Sequence, residues 1–328
     1  MRDVRWGMIG CGEVAEIKSG PAFYKARHSR LVAVMRRNGN LAEDFARRHG
    51  VPRWHTDADA IIEADDIDAI YIATHPDSHT DYARRCAAAG KAIYVEKPMA
   101  LQLCDCVAMV EACEAAGVSL WVAYYRRKLE RFVAVKNLLS AGAIGIPQAV
   151  VVRHLLSAPE GSTTSSASLA WRRDVTKGGG QFIEGACHTL DLLDFYFGAV
   201  EDVRAFVDNR VGAFASEDVV AASFRLASGV LGTGIWCYAA GREDESCEIV
   251  GSTGSLRFSV TRASPIELVR RDESQLISVG DPEHVQQPLI QSIVDEMNGV
   301  GVCPSTGRSA LRTAHAVDTI MRGFWARQ

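Results

Sequence analysis

Ala92-Ile93-Tyr94-Val95-Glu96-Lys97-Pro98 is the stretch on which the fold turns. Ala92 to Val95 is an apolar run rich in strand-forming residues, the pattern of a parallel strand buried on both faces. Proline has no N–H for a central ladder, so the strand must end and the chain must turn at Lys97-Pro98. A carboxylate and an amine are thereby left at the carboxyl end of a strand, the edge at which open α/β sheets bind ligands. By itself Glu96-Lys97-Pro98 reads more simply as a charge pair closing a strand. The flanking sequence changes that balance.

Outward from this point, strands and helices alternate. Ala69 to Ala73 is a strand, and Asp77 to Ala89 a helix capped by Asp77 and ended by Gly90. Leu101 to Ala116 is a helix ended by Gly117, and Val118 to Ala123 a further strand. Toward the N-terminus, Val4 to Ile9 and Leu31 to Met35 are apolar strands, with helices at Leu41 to His49 and Asp57 to Ala64. The alternation predicts a doubly wound parallel sheet, a Rossmann domain over residues 1–123.

Gly10-Cys11-Gly12-Glu13-Val14-Ala15 follows the first strand and opens a helix. This G-x-G-x-x-A pattern makes a tight turn, lets backbone approach a pyrophosphate, and offers it the N–H groups of a helix start. About twenty residues on, an NAD site usually carries an acid for the ribose hydroxyls. Here Arg36-Arg37-Asn38 stands instead. An acid would repel a 2′-phosphate, whereas guanidinium groups grip it in a forked geometry, so the cofactor expected is NADP(H), with NAD(H) the alternative. Thr74-His75-Pro76-Asp77-Ser78-His79 leaves the next strand at the same edge. His79 fits two roles equally, touching the cofactor or packing inside the first helical turn.

Residues 124–328 read as a second, α+β domain. A helix at Lys128 to Ala141 leads into strands at Gln148–Leu156, Val200–Val211, Asp218–Ala227, Val230–Tyr238, Ser246–Val250, Ser255–Val260 and Pro265–Arg271. Short turns between consecutive strands predict a large, mostly antiparallel sheet. Helices near His284–Asn298 and Ser309–Trp325 close the chain, and the Ser/Thr-rich stretch Ser162–Ser168 reads as a candidate lid. After Gly178-Gly179-Gly180, a helix sets Glu184, His188 and Asp191 on one face at spacings of four and three. As core, these groups would be costly to bury without partners. As a metal site, they lack a supporting second His or Cys pattern. As an acid–base site, His188 titrates near neutrality with a carboxylate to orient it, and this reading fits best.

Composition bounds the partners. The chain has 328 residues, 48% hydrophobic and 23% charged, enough for two ordinary domains. A net charge of -4 gives no basic excess for nucleic acid, and no apolar run approaches a membrane span. The nine cysteines form no CxxC pair, and the chain enters a strand directly after Met1, so reduced thiols in the cytoplasm are expected.

Gly10-x-Gly12-x-x-Ala15, Ala73-Thr74-x-Pro76-Asp77-Ser78-His79, Glu96-Lys97-Pro98, Trp171-Arg172, and Gly178-Gly179-Gly180 with Glu184 and His188 together resemble the Gfo/Idh/MocA oxidoreductases over essentially the whole chain. The resemblance implies hydride transfer between nicotinamide and a sugar, polyol or related diol or ketone. It implies that Lys97 touches both substrate oxygen and nicotinamide ribose, that His188 is the acid–base residue, and that Glu184 stands where many members carry Asp. By the same resemblance Gly10, Cys11, Gly12, Glu13, Val14, Arg36, Arg37, Thr74, His75, His79, Glu96 and Lys97 line the cofactor. Lys97, Tyr125, Arg126, Trp171, Arg172 and His188 line the substrate. His75 replaces a common Pro. A cis Lys97-Pro98 bond and a homodimer or homotetramer built through the C-terminal sheet are also implied. Two other readings remain open from the residues: a regulator that senses NADP(H) without chemistry, and a glycosidase with tightly held nicotinamide.

Overall fold

The computed structural model describes residues 1–157, 180–212, 215–271 and 273–327. These group into two compact units, Met1–Leu129 with Pro282–Leu311, and Glu130–Asp281 with Arg312–Gln328.

In the first unit, β1 (Val4–Ile9), β2 (Ser29–Met35), β3 (Arg53–His55), β4 (Ala69–Ile72), β5 (Ala92–Val95) and β6 (Leu120–Val122) form one sheet in the order β3-β2-β1-β4-β5-β6. Every pairing is parallel. This is the Rossmann order, and it reverses direction beside β1, where β4 pairs on the other edge from β2. The apolar runs Ala69–Ile72 and Ile93–Val95 are buried throughout, as parallel strands between helical layers must be. Helices α1 (Gly20–Lys25), α2 (Gly39–His49), α3 (Asp59–Ile62), α4 (His79–Ala88) and α5 (Leu103–Ala115) supply those layers. The strand β3 was not foreseen: its three residues, Arg53-Trp54-His55, carry no apolar run to signal it. The helix expected over Asp57–Ala64 shortens to α3.

The helix opened by the glycine turn is not regular. Ala15–Ser19 forms a wide π-turn in which the Gly20 N–H bonds the Ala15 carbonyl. Pro21 follows and has no N–H to continue the α-ladder across the junction. A Cβ on Gly20 would fall 2.5 Å from that same carbonyl, so glycine is required where the two helical forms meet. Behind β1, Trp6 packs on Phe23 (4.9 Å between rings), Phe23 on Tyr71 (5.0 Å), and Tyr71 stacks on its register partner Tyr94 (5.0 Å).

In the second unit, α6 (Glu130–Ser140) precedes β7 (Pro147–Ser157), and α7 (Gln181–Phe197) precedes β8 (Val200–Asp208), β9 (Val219–Leu226), β10 (Leu231–Ala240), β11 (Asp244–Gly251), β12 (Ser255–Phe258), β13 (Ile266–Arg270) and β14 (Glu273–Ile277). The sheet order is β14-β13-β12-β11-β7-β10-β9-β8, antiparallel except where β10 runs parallel to β7. The edge strand β14 is exposed and polar, which hid it from the periodicity. One face is core: Val150, Val152, Val220, Phe224 and Trp236 are buried. The other leaves Val151, Phe206, Leu231 and Ile235 exposed, Phe206 by 85%.

The segment 282–311 was expected in the second domain but groups with the first unit. It carries α8 (Gln287–Met297) and the start of α9 (Gly307–Trp325), whose remainder groups with the second. Ser162–Ser168 lies outside the described residues. Among the described residues, no helix is long and apolar enough to cross a membrane.

Candidate active site

The first unit gathers its candidate groups at the carboxyl ends of β2, β1, β4 and β5, four neighbouring strands. The ladder runs past the strand ends and fixes them there. Gly10 N–H bonds Met35 O (2.9 Å), Ala73 N–H bonds Ile9 O (2.8 Å) and Glu96 N–H bonds Ile72 O (2.9 Å). Gly10 has φ +98°, and a Cβ there would sit 2.8 Å from the Ala73 carbonyl, so the turn itself demands glycine. Gly12 is different: a Cβ there would meet no protein atom within 4 Å. The space beside Gly12 is open, which leaves room for a pyrophosphate at the turn. Glu13 is exposed and Val14 half-buried at the helix start. Cys11 is buried, its Sγ 3.6 Å from Met35 O, and burial pushes its thiol up to about 11, so it packs as a small apolar residue.

Arg36 leaves β2 half-buried and reaches back over the glycine turn, Nη1 donating to Cys11 O at 3.4 Å. Arg37 is exposed. Asn38 accepts from Leu41 N–H (3.3 Å) and caps α2. At the end of β4, Thr74 is half-buried with its hydroxyl on Ser78 Oγ (2.7 Å), and His75 is exposed. His79 resolves to the second of its two roles. It is wholly buried, with Nδ1 at 3.2 Å from both Pro98 O and Met99 O and Nε2 at 3.1 Å from Thr74 O. Burial lowers its pKa, and its two ring nitrogens face carbonyl oxygens, of the Thr74 loop on one side and of the segment after Lys97 on the other.

The Lys97-Pro98 bond is cis. Lys97 is half-buried, while Glu96 is buried and turned into the unit: Oε1 accepts from Tyr71 Oη and from Gln286 Nε2, both at 2.6 Å, and Oε2 from Lys97 N–H at 3.1 Å. Its carboxylate is thus engaged by protein groups on both oxygens. Tyr125 and Arg126 lie in a short 3₁₀ turn, both buried, with Arg126 Nη1 donating to Tyr125 Oη at 3.2 Å and the guanidinium 5.0 Å from that ring.

In the second unit, α7 carries Glu184 half-buried and His188 and Asp191 buried. Asp191 turns toward α9, where Thr313 Oγ1 donates to its Oδ1 at 3.3 Å, and Asp194 one turn on takes a bidentate pair from Arg312 (2.6 and 2.9 Å). His188 and Glu184 are thus the members of the triplet nearest the helix start, and Asp191 anchors the helix. Trp171, Arg172, Gly178 and Gly179 lie outside the described residues. Among the described residues, no group of three or more His, Cys, Asp or Glu is arranged to hold a metal.

Two residues of consequence escaped sequence reasoning. Gln286 is one. The other is Glu217, 1% exposed in the loop before β9, whose Oε1 accepts from Phe182 N–H at 2.6 Å at the start of α7. A Cβ on Gly180 would fall 3.0 Å from that oxygen, so the last glycine of the Gly-rich run is what admits the carboxylate. Burial pushes Glu217 up to about 7. The pairing of an acid with a helix start 35 residues away leaves no local signature.

Comparison with known proteins matches two family models. Residues 4–124 match the oxidoreductase family with NAD-binding Rossmann fold, GFO_IDH_MocA, and residues 132–257 match the GFO/IDH/MocA C-terminal domain. Oxidoreductase P35 of Formosa agariphila is 38% identical over 96% of this chain and 97% of its own length. Myo-inositol 2-dehydrogenase of Thermotoga maritima is 26% identical over 81% of this chain and 78% of its own. Among solved structures, levoglucosan dehydrogenase in complex with NADH and levoglucosan superposes with a TM-score of 0.85 at 22% identity, covering 98% of this chain and 97% of that one, a likeness of fold.

Proposed function

The chain belongs to the GFO/IDH/MocA oxidoreductase family, and from that membership we propose that it transfers a hydride between NADP(H), in preference to NAD(H), and a sugar, polyol or related diol or ketone. Support for the substrate class comes from the names of relatives, among them a myo-inositol dehydrogenase and an anhydrofructose reductase. Support for the cofactor comes from one observation. The Arg36 guanidinium lies over the glycine turn, where the adenosine ribose of a bound dinucleotide would end, and no acid follows before Glu43. A 2′-phosphate contact of this charge-assisted kind contributes about 1.5–3 kcal/mol, a preference of roughly tenfold or more.

Nicotinamide, when bound, takes up or supplies the hydride. The protein's own groups handle the proton and the charge. In alcohol oxidation His188 takes the hydroxyl proton, Glu184 orients its imidazole, and the Lys97 ammonium stabilises the developing alkoxide. Gly10, Cys11 and Gly12 form the turn that lets the pyrophosphate approach, their own N–H groups bonded to Met35 O and Gly10 O; Glu13 and Val14 meet it at the helix start, and Thr74 and His75 border it. Tyr125, Arg126, Trp171 and Arg172 serve the polyhydroxylated substrate. The exposed apolar face with Phe206 and Ile235 joins copies into a dimer or tetramer, and all nine cysteines being free thiols supports a cytoplasmic setting.

The test is a panel of polyols, sugars and their ketones with both cofactors, read by absorbance of the reduced nicotinamide. Turnover with a member of the panel is expected, lost on Lys97→Ala and on His188→Ala. Near-normal turnover in both variants would overturn the catalytic assignment. Equal affinity for the two cofactors would overturn the preference.

A further inference from the structure

Burying a carboxylate is expensive unless donors meet it. Glu96, 8% exposed, accepts from the Tyr71 hydroxyl, the Gln286 amide and the Lys97 backbone N–H, each a neutral donor. Gln286 is itself 1% exposed and stands just before α8, 190 residues further along the chain. Its amide is oriented by a second bond, Tyr94 Oη donating to its Oε1 at 2.7 Å. That leaves Nε2 facing Glu96. A side chain at this place must accept from a phenol and donate to a carboxylate at once, and an uncharged amide does both.

The chain of bonds therefore runs Tyr94, Gln286, Glu96, and then the backbone of Lys97. The opposite side of Lys97 is held by His79, through Pro98 O and Met99 O. We propose that Gln286 is a positioning residue for Lys97, acting through the carboxylate of Glu96 to fix the backbone from which the lysine projects. The proposal rests on the reading of Lys97 as the lysine that meets the reacting oxygen. Nothing in it requires Gln286 to touch cofactor or substrate.

Three variants test it, with Lys97→Ala as reference: Gln286→Leu, Gln286→Glu and Tyr94→Phe. NADPH binding is followed by nicotinamide fluorescence, turnover on whichever panel alcohol the wild type oxidises, and exposure of Lys97 by its rate of acylation with acetic anhydride, read by mass spectrometry. Lys91, bonded to Ala64 O and Ile67 O, is the internal control. In Gln286→Leu, kcat is expected to fall about tenfold or more and Lys97 to acylate at least about threefold faster, with NADPH affinity within about threefold and Lys91 unchanged. Tyr94→Phe removes only the bond that orients the amide, so a smaller loss in the same direction is expected.

Gln286→Glu supplies a readout that a merely structural role would not move. The introduced carboxyl would lie beside Glu96 and share a proton with it at low pH, donating as the amide does; at higher pH both ionise and repel. The titratable groups around this pair are the Tyr71 and Tyr94 phenols on β4 and β5, His79 on α4, Lys97 itself and, beyond Tyr94, Cys303 and Tyr125. Burial pushes both phenols up, the imidazole down and the Cys303 thiol up to about 11. The ratio of wild-type to variant kcat should therefore rise with pH. A ratio independent of pH, with Lys97 acylated at the wild-type rate in all three variants, would overturn the proposal. If Lys97→Ala were inactive while Gln286→Leu matched wild type, only the role of Gln286 would fall. If Lys97→Ala kept wild-type turnover, the reading of Lys97 would fall and take this proposal with it.

Discussion

Replacing Glu217 by Gln should change how the protein's stability depends on pH, in a direction and window that the structure specifies. Burial is the dominant cause that raises the Glu217 carboxyl from 4.5 to about 7; the N–H groups of Phe182 and of Glu217 itself pull the other way, and Asp218 adds to the rise. Between these two values the folded protein holds a proton that the unfolded chain has released. Stability therefore falls as pH rises through the window, and the full loss is in place above pH 7. The interval is about 2.5 pH units at roughly 1.4 kcal/mol each, or ~3 kcal/mol. Glutamine keeps the shape and an oxygen for Phe182 N–H but never ionises. Its amide adds buried donors at a fixed cost, so the sign of the mutant's stability at one pH is not diagnostic. The difference between two pH values is. Urea unfolding of wild type and Glu217→Gln at pH 4.5 and pH 8 should show the mutant gaining ~3 kcal/mol relative to wild type on going to the higher pH. A mutant-minus-wild-type difference that is the same at both pH values would refute the reasoning and mean that Glu217 titrates in the folded protein as it does in the unfolded chain.

Gly10→Ala and Gly12→Val should fail differently: the first destabilises the fold, because φ is +98° and Ala73 O is 2.8 Å from the new Cβ, whereas the second leaves melting unchanged and weakens NADPH binding about a hundredfold or more by filling the pyrophosphate space. Thermal melts with parallel NADPH titrations separate the two. Arg36→Asp should narrow or invert the NADP(H) preference with little change in turnover at saturating cofactor, and salt should weaken wild-type NADP(H) binding more than NAD(H) binding, checked by titration at two ionic strengths. Phe206→Glu, at a position 85% exposed on the open sheet face, should shift sedimentation toward smaller species without lowering the melting temperature.

The parts of this protein that were legible in the sequence are those whose physics is local. A glycine turn between a strand and a helix, a proline that must end a strand, and arginines at the next strand end each signal through neighbours in the chain, and each stands at the expected sheet edge. What supports them is encoded at a distance. Tyr71 and Tyr94 read as core strand residues, and so they are, stacked at 5.0 Å; nothing in their own segments says that both hydroxyls feed one network around Glu96. Gln286 reads as an ordinary polar residue of the helix expected near His284–Asn298, and Glu217 as an acid just ahead of the strand expected from Asp218. His79 reads equally as a cofactor contact or as a ring packed in the first helical turn; only the fold brings the Thr74, Pro98 and Met99 carbonyls around it. The glycine turn, Lys97 and the arginines meet a ligand from strand ends and turns, and carry a chemistry that local sequence displays. A group that holds such a turn in place needs only a donor or acceptor delivered by tertiary structure, and several residue types can deliver it. At Gln286, a supporting residue of this kind, substitution should therefore alter rate and its pH dependence before it alters binding, which is the distinction the Gln286 variants are built to read.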